Sequence, residues 1–269
     1  MPELPEVEAV AQSLRPLVCG RRIARCEVVH RIAVRPQKPA TLYVGVEGKR
    51  IVDVERRGKY LLLRLERGFM VMHFRLDGQL VWFDEGKMNG HVDVALHLAP
   101  GTLGFVDRRH FGRVNFFEAP QEERGIARLG VEPLERTFTW QRLTRLLGES
   151  RRPVKLFLLD QGRIAGLGNI YSNEALWRAR LDPRRMTHRL KEAESRRLHK
   201  GIVEVLGRAL ECCLEPAPNF RDAAWWFQGL EKILRVYGRE GKRCRRCGKR
   251  IRRIEQGARS SYFCPGCQN

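Results

Sequence analysis

The chain has 269 residues, more than one typical domain holds, and 51 Lys and Arg against 31 Asp and Glu leave a net charge of +20. So large an excess calls for a polyanionic partner, with nucleic acid ahead of a membrane surface. No run approaches the ~20 apolar residues of a membrane span, and acids stand at the N-terminus where a signal peptide carries bases, so a soluble cytoplasmic protein with no membrane partner is expected, monomeric by default.

In Met1-Pro2-Glu3-Leu4-Pro5-Glu6-Val7-Glu8, proline at position 2 allows the initiator methionine to be trimmed, which would leave a free secondary amine on Pro2. Such an amine can attack a carbonyl-like carbon. An α-amino group has a pKa of ~8 and a lysine ~10.4, so the terminus offers far more free base at neutral pH, and Schiff-base formation divides one hard bond cleavage into two easier ones. On these eight residues alone, a plain helix start is the favoured reading.

Val7, Val10 and Leu14 form one helical stripe across residues 3–15, which Pro16 and Gly20 are expected to close. From Arg22 to Phe117 short runs of Val, Leu, Phe and Tyr alternate with turn signals at Gly48, Gly68, Asp77-Gly78 and Pro100-Gly101, as in an antiparallel sandwich or barrel. Lys59, in Arg57-Gly58-Lys59-Tyr60, stands at the mouth of one such strand. Around Pro120 to Pro133 the strand texture stops, and the acidic-basic stretch Gln121 to Arg128 reads as an exposed connection between domains. Helices are expected at Trp140–Leu147, Pro153–Asp160, Ile170–Ala179 and Leu190–Leu214, the last with a Glu192–Arg196 pair at i,i+4. The glycine-punctuated stretch from Asp160 to Asn169 delivers Asn169 to a helix start, which suits either a phosphate seat or a tight turn between helices.

Four of the eight cysteines (Cys19, Cys26, Cys212, Cys213) sit in apolar contexts, and the other four fall in the final 26 residues. Cys244/Cys247 and Cys264/Cys267 are two C-x2-C pairs sixteen residues apart, the spacing of one structural Zn2+ held by a finger whose hairpin spans Ile251–Ile254 and Ser261–Phe263. Between Arg239 and Arg253 stand nine Lys or Arg and one acid, a surface suited to phosphate.

Taken together, Pro2 to Glu8, Arg56-Arg57-Gly58-Lys59-Tyr60, Asp107-Arg108-Arg109-His110-Phe111-Gly112, Leu158-Leu159-Asp160-Gln161, Gly166 to Tyr171, Val236-Tyr237-Gly238-Arg239 and the cysteine quartet resemble the formamidopyrimidine-DNA glycosylase family, along essentially the whole chain. The resemblance implies an α+β multi-domain protein: an N-terminal helix and antiparallel β-sandwich forming a catalytic domain (residues 1–132), a helix-two-turn-helix domain (133–235) and a zinc finger (236–269), with double-stranded DNA bound between the two lobes. It implies a bifunctional enzyme that excises an oxidised purine and then cleaves the strand at the abasic site by β,δ-elimination. Pro2 would be the nucleophile, Glu3 the acid/base at the sugar and Lys59 a catalytic phosphate holder, with Glu6 in support. A flipped nucleotide leaves a gap in the duplex, which Leu76, Arg109 and Phe111 would fill. Leu76 stands where the family has methionine. His73, His91, Lys155, Asn169, Tyr237 and Arg259 match DNA-binding positions, while Glu174 matches a lesion-pocket or structural one.

Ala217 to Gln228 departs from the family pattern. The small residues of the lesion-capping loop are missing, and Pro218, Trp225 and Trp226 stand there instead. Weaker discrimination for 8-oxoguanine is expected, with formamidopyrimidines still excised. Two alternatives stay open: an endonuclease VIII-like enzyme for oxidised pyrimidines, disfavoured by Leu4 where that branch tends to carry glycine, and a non-catalytic protein that binds damaged DNA.

Overall fold

The computed structural model describes residues 2–84, 88, 90–221 and 229–269. By its contacts the chain divides into two compact units, Met1–Ala127 with Cys213–Gln228, and Arg128–Cys212 with Gly229–Asn269. The tryptophan pair at 225 and 226 lies outside the described residues.

The first unit opens with helix α1 (Leu4–Val18). Its stripe of Val7, Val10 and Leu14 is fully buried, as the helical period anticipates. The helix runs past Pro16 instead of stopping there. Val18, in the last turn, is also fully buried, and its packing into the core works against the lost backbone bond and ring clash of Pro16.

Among the described residues eight strands follow: β1 (Ile23–Val28), β2 (Ile51–Arg57), β3 (Tyr60–Leu65), β4 (Phe69–His73), β5 (Gln79–Phe83), β6 (Val94–Leu98), β7 (Thr102–Val106) and β8 (Arg113–Phe117). They pair antiparallel into two four-stranded sheets, ordered β1-β6-β7-β5 and β2-β3-β4-β8. Both sheets and α1 contribute to one apolar core, so the strands form a sandwich and not a closed barrel. A second helix, α2 (Pro39–Val46), interrupts the strand-like texture. Its Val and Tyr content reads as strand, but Pro39 at the first turn marks a helix start and Leu42 and Val46 at i,i+4 enter the core. After the short helix α3 (Arg124–Ala127) the chain leaves the first unit.

The second unit holds α4 (Trp140–Gly148), α5 (Val154–Leu159), α6 (Asn169–Ala179), α7 (Glu192–Leu214) and α8 (Leu230–Ile233), then the hairpin β9 (Arg252–Gln256) and β10 (Arg259–Phe263). Thr139 caps α4 by accepting the Arg142 N–H at 3.2 Å. Within α7, Glu192 and Arg196 make the expected i,i+4 ion pair at 2.7 Å. The helix starts at Glu192 rather than Leu190, and the hairpin strands reach to Gln256 and back from Arg259. Gly257 and Ala258, both at positive φ, form the tight two-residue turn between those strands.

Candidate active site

Glu3 occupies the N-cap of α1 and is 1% exposed. Its backbone N–H donates to Glu6 Oε2 at 2.8 Å, and the two acids form a reciprocal capping box. Ser, Thr, Asp and Asn are the preferred caps, so a buried glutamate here breaks a local rule, as functional positions do. Five residues on, Glu8 pairs with Arg56 at 2.7 Å, the arginine side chain being almost wholly enclosed. Because α1 packs on β2 and β3, this ion pair fastens the first turns of the helix beside the β2–β3 turn. Lys59 is the second residue of that two-residue turn, just before β3, and is buried. Pro2, Glu3 and Lys59 thus belong to one helix-on-sheet assembly.

The strand that follows brings His73, which pairs with Tyr60 across the sheet and meets its ring edge-on at 4.6 Å. Enclosure, then the charges of Arg75 and Lys59, hold the imidazole pKa down to about 3, so the ring is neutral at physiological pH. Arg75 donates its backbone N–H to Nδ1 at 3.0 Å, which leaves the ring proton on Nε2. His73 is therefore an uncharged hydrogen-bond donor.

Two loops at one edge of the sandwich carry Leu76, Arg109 and Phe111. Leu76 and Phe111 are among the exposed large apolar side chains, 37% and 47% accessible. Arg109 reaches Asp77 at 3.0 Å and lies over the Phe111 ring at 5.0 Å, which ties the β4–β5 loop to the β7–β8 loop. Asp107, buried beneath the second loop, shapes it by accepting the N–H groups of Arg109 at 3.0 Å and Gly112 at 2.6 Å. A Cβ at position 112 would stand 2.5 Å from the Phe105 ring, so the motif's glycine is a steric requirement. Arg75 and His110 each sit at φ +54°, so each loop has one non-glycine residue in the left-handed region. His91, half-buried, lies 3.2 Å from Asp93 through Nε2.

In the second unit α6 is the organising element. The turn leading to it is built by Gln161, which accepts the Gly166 N–H at 3.0 Å and donates to the Leu167 carbonyl at 2.6 Å. Asn169 is the first helical residue, and its Oδ1 is buried without a hydrogen-bond partner among the described residues. Lys155 is fully buried, and Nζ donates to the Asn169 carbonyl at 3.2 Å. Glu174 accepts three successive backbone N–H groups, from Arg235, Val236 and Tyr237, each at 2.8 Å. Burial pushes its pKa up and the three donors pull it back. This glutamate fixes the backbone that presents Tyr237, whose ring meets Tyr262 at 5.3 Å. Asn173, which the sequence did not single out, accepts the Tyr262 N–H at 2.8 Å and so joins α6 to β10. Arg259 is exposed at the hairpin turn.

The cysteine sulfurs lie within 4.8 Å of one another, with Cys244–Cys267 at 3.9 Å and Cys247–Cys264 at 3.4 Å. Tetrahedral zinc with bonds of ~2.3 Å sets its sulfurs ~3.8 Å apart, so the quartet fits that ion. Trp177 of α6, Val236 and Ile251 pack against the cysteines, and Arg246 lies over the indole at 3.9 Å.

Three family models match in succession: the formamidopyrimidine-DNA glycosylase N-terminal domain over residues 1–114, the H2TH domain of the same enzymes over 129–215, and the zinc finger found in FPG and IleRS over 241–269. The chain belongs to the formamidopyrimidine-DNA glycosylase family. It is 40% identical to the formamidopyrimidine-DNA glycosylase of Pelotomaculum thermopropionicum, with 100% of this chain and 99% of the relative aligned. Against that of Thermus thermophilus the identity is 41%, over 100% and 98% of the two chains. Among solved structures, Lactococcus lactis Fpg in complex with abasic-site DNA superposes with a TM-score of 0.89 at 30% identity, over 99% of each chain. The same organism's Fpg with DNA containing an oxidised pyrimidine gives 0.90 at 31% over the full length of both. As a member of this glycosylase family the chain is a DNA-repair enzyme of base excision, with the mixed α and β architecture described above.

Proposed function

We propose that the protein is a bifunctional glycosylase and abasic-site lyase that takes oxidised purines from double-stranded DNA and then cuts the strand. The observation that carries this is Glu3: a carboxylate 1% exposed at the tip of α1, next to Pro2, on a helix locked by Glu8–Arg56 to the turn that holds Lys59. Once Met1 is removed, the Pro2 nitrogen attacks C1′ of the damaged nucleoside as the base departs. The secondary amine gives an iminium, which acidifies the C2′ proton. Loss of that proton expels the 3′ phosphate, and a second elimination expels the 5′ phosphate. Glu3 protonates the sugar ring oxygen as the ring opens and stabilises the developing cation.

Lys59 holds a phosphate beside the lesion. Leu76, Arg109 and Phe111 fill the gap left by the extruded nucleotide, Phe111 as an apolar wedge and Arg109 on the orphaned base. His73, His91, Lys155, Asn169, Tyr237 and Arg259 serve the DNA backbone, His73 through its Nε2–H. Lys155 does so indirectly, by fixing the Asn169 carbonyl at the start of α6. One Zn2+ on Cys244, Cys247, Cys264 and Cys267 braces the finger. No helix among the described residues is long and apolar enough to cross a membrane, and the reading places a monomer on DNA in the bacterial cytoplasm.

Formamidopyrimidines are the preferred substrates, because residues 217–228 lack the small residues with which a flexible loop would wrap 8-oxoguanine. Single-turnover excision on matched duplexes tests both points. The wild type should clear formamidopyrimidine faster than 8-oxoguanine, and Glu3→Gln should slow base release by about 100-fold or more. Equal rates on the two bases would remove the substrate preference, and a wild-type rate in Glu3→Gln would remove the assignment of Glu3.

A further inference from the structure

Beside the gap-filling loop lies a second cluster of metal-ligand side chains, remote in sequence from the cysteines. Asp93, fully buried, enters β6 with its carboxylate facing three imidazoles. His110 Nδ1 lies 2.8 Å from Asp93 Oδ1, and His91 Nε2 lies 3.2 Å from Oδ2. His30 stacks on His91 with ring centroids 4.8 Å apart and stands 5.0 Å from the His110 ring. One ligand atom each from His30, Asp93 and His110 falls within a 4.8 Å span.

The backbone around the cluster is fixed from several sides. The Asp93 carbonyl accepts the N–H groups of Val29 and His30 at 2.9 and 3.2 Å, and its own N–H donates to Phe105 at 2.8 Å. Asp107 donates its N–H to Oδ2 at 2.6 Å, which leaves Oδ1 to face His110. His110 reaches this point from a left-handed backbone at φ +54°, a conformation uncommon for a non-glycine residue. One fixed carboxylate oxygen with two converging imidazoles is a borderline-soft donor set that suits Zn2+, Co2+ or Ni2+ and does not suit Mg2+ or Ca2+.

We propose that His30, Asp93 and His110 form a second divalent transition-metal site, distinct from the cysteine quartet. A cation there joins the loop of Arg109 and Phe111 to β6 and to the end of β1, so its occupancy stiffens the gap-filling loop. Any proton that Nδ1 of His110 shares with Asp93 Oδ1 must leave that nitrogen, to Nε2 of the same ring or to solvent, before its lone pair meets the cation. His30 offers one ring nitrogen to the same cation.

Titration of untagged, zinc-loaded full-length protein with Co2+ at neutral pH tests the site. The expected result is one additional equivalent with weak visible d–d absorption and no thiolate-to-cobalt charge transfer in the near ultraviolet, a band that would instead report exchange into the cysteines. His30→Ala, and separately His110→Arg, should weaken that equivalent by at least 10-fold, a floor of ~10-fold being set by what even indirect contacts to a metal are worth. Both variants should keep the zinc of the finger by mass. In the wild type, Co2+ or Ni2+ should slow tryptic cleavage after Arg108 and Arg109, and in the variants it should not. The proposal is overturned if no second equivalent binds, if the equivalent survives both substitutions, or if its spectrum is that of a thiolate site.

Discussion

Two helices each present residues of the proposed site, and they are held in opposite ways. Helix α1 buries a stripe in the core of its own unit, and the residues proposed for chemistry, Pro2 and Glu3, stand only at its tip. Helix α6 is buried on nearly every face and uses polar groups along its length: Asn169 at the start, Asn173 on Tyr262, Glu174 on three backbone N–H groups and Trp177 against the cysteines. The difference lies in what each helix must satisfy. An apolar stripe is held by area and tolerates a changed tip, whereas buried polar groups are held by particular partners and each costs heavily when the partner is lost. On the proposed reading, the tip of α1 is therefore open to chemistry, whereas along α6 the proposed binding residue Asn169 stands among polar groups that hold the fold.

The largest effect that would break this contrast comes from the finger. Removing zinc by chelation, or replacing Cys264 with Ser, should unfold the hairpin and abolish duplex binding, since a structural zinc site is worth about 10 kcal/mol. Native mass and a DNA titration on the same sample check it. Next is Glu174→Ala, which strands three backbone donors and should cost about 3 kcal/mol in urea denaturation of the second unit. Phe111→Ala should behave in the contrary way: its side chain is 47% exposed, so stability should stay within about 0.5 kcal/mol while single-turnover excision falls. If Phe111→Ala destabilised the fold as much as Glu174→Ala, the contrast between exposed residues of the first unit and buried polar groups of the second would not hold.

The smallest effect concerns acid. Below pH 6.5 the unfolded chain takes up a proton that folded His73 refuses until about pH 3, so this residue lowers stability progressively as pH falls through that window and contributes nothing above it. A stability-versus-pH curve for His73→Gln should be flatter than the wild type between those limits, and the two should run parallel above pH 7.

What could be read from the chain follows the same physics. The stripe of α1, the i,i+4 pair of α7 and the C-x2-C spacing are periodic or local, so they stand in the sequence as they stand in the fold. Pro16 and α2 were misread because burial of Val18, Leu42 and Val46 overrode local texture. The supports of the site were legible only in part. Asp107 belongs to a motif that could be quoted, but its work of holding the Arg109 and Gly112 N–H groups is a matter of geometry. The role of Glu174 stayed open between lesion pocket and scaffold until its three donors, 61 to 63 residues away, were in place. Asn173 and the grouping of His30, Asp93 and His110 arise from contacts across 89 and up to 80 positions, which no pattern along the chain records.

The central claim is that the amine of Pro2 becomes bonded to the sugar. Borohydride reduction of the correctly trimmed protein on a duplex with a single abasic site tests it most directly, with Pro2→Gly as the comparison. The account predicts a stable one-to-one protein–DNA adduct whose peptide map places the link on the N-terminal residue, and a much reduced yield with Pro2→Gly. A wild-type protein that cuts the strand but gives no adduct, or one linked through Lys59, would contradict it.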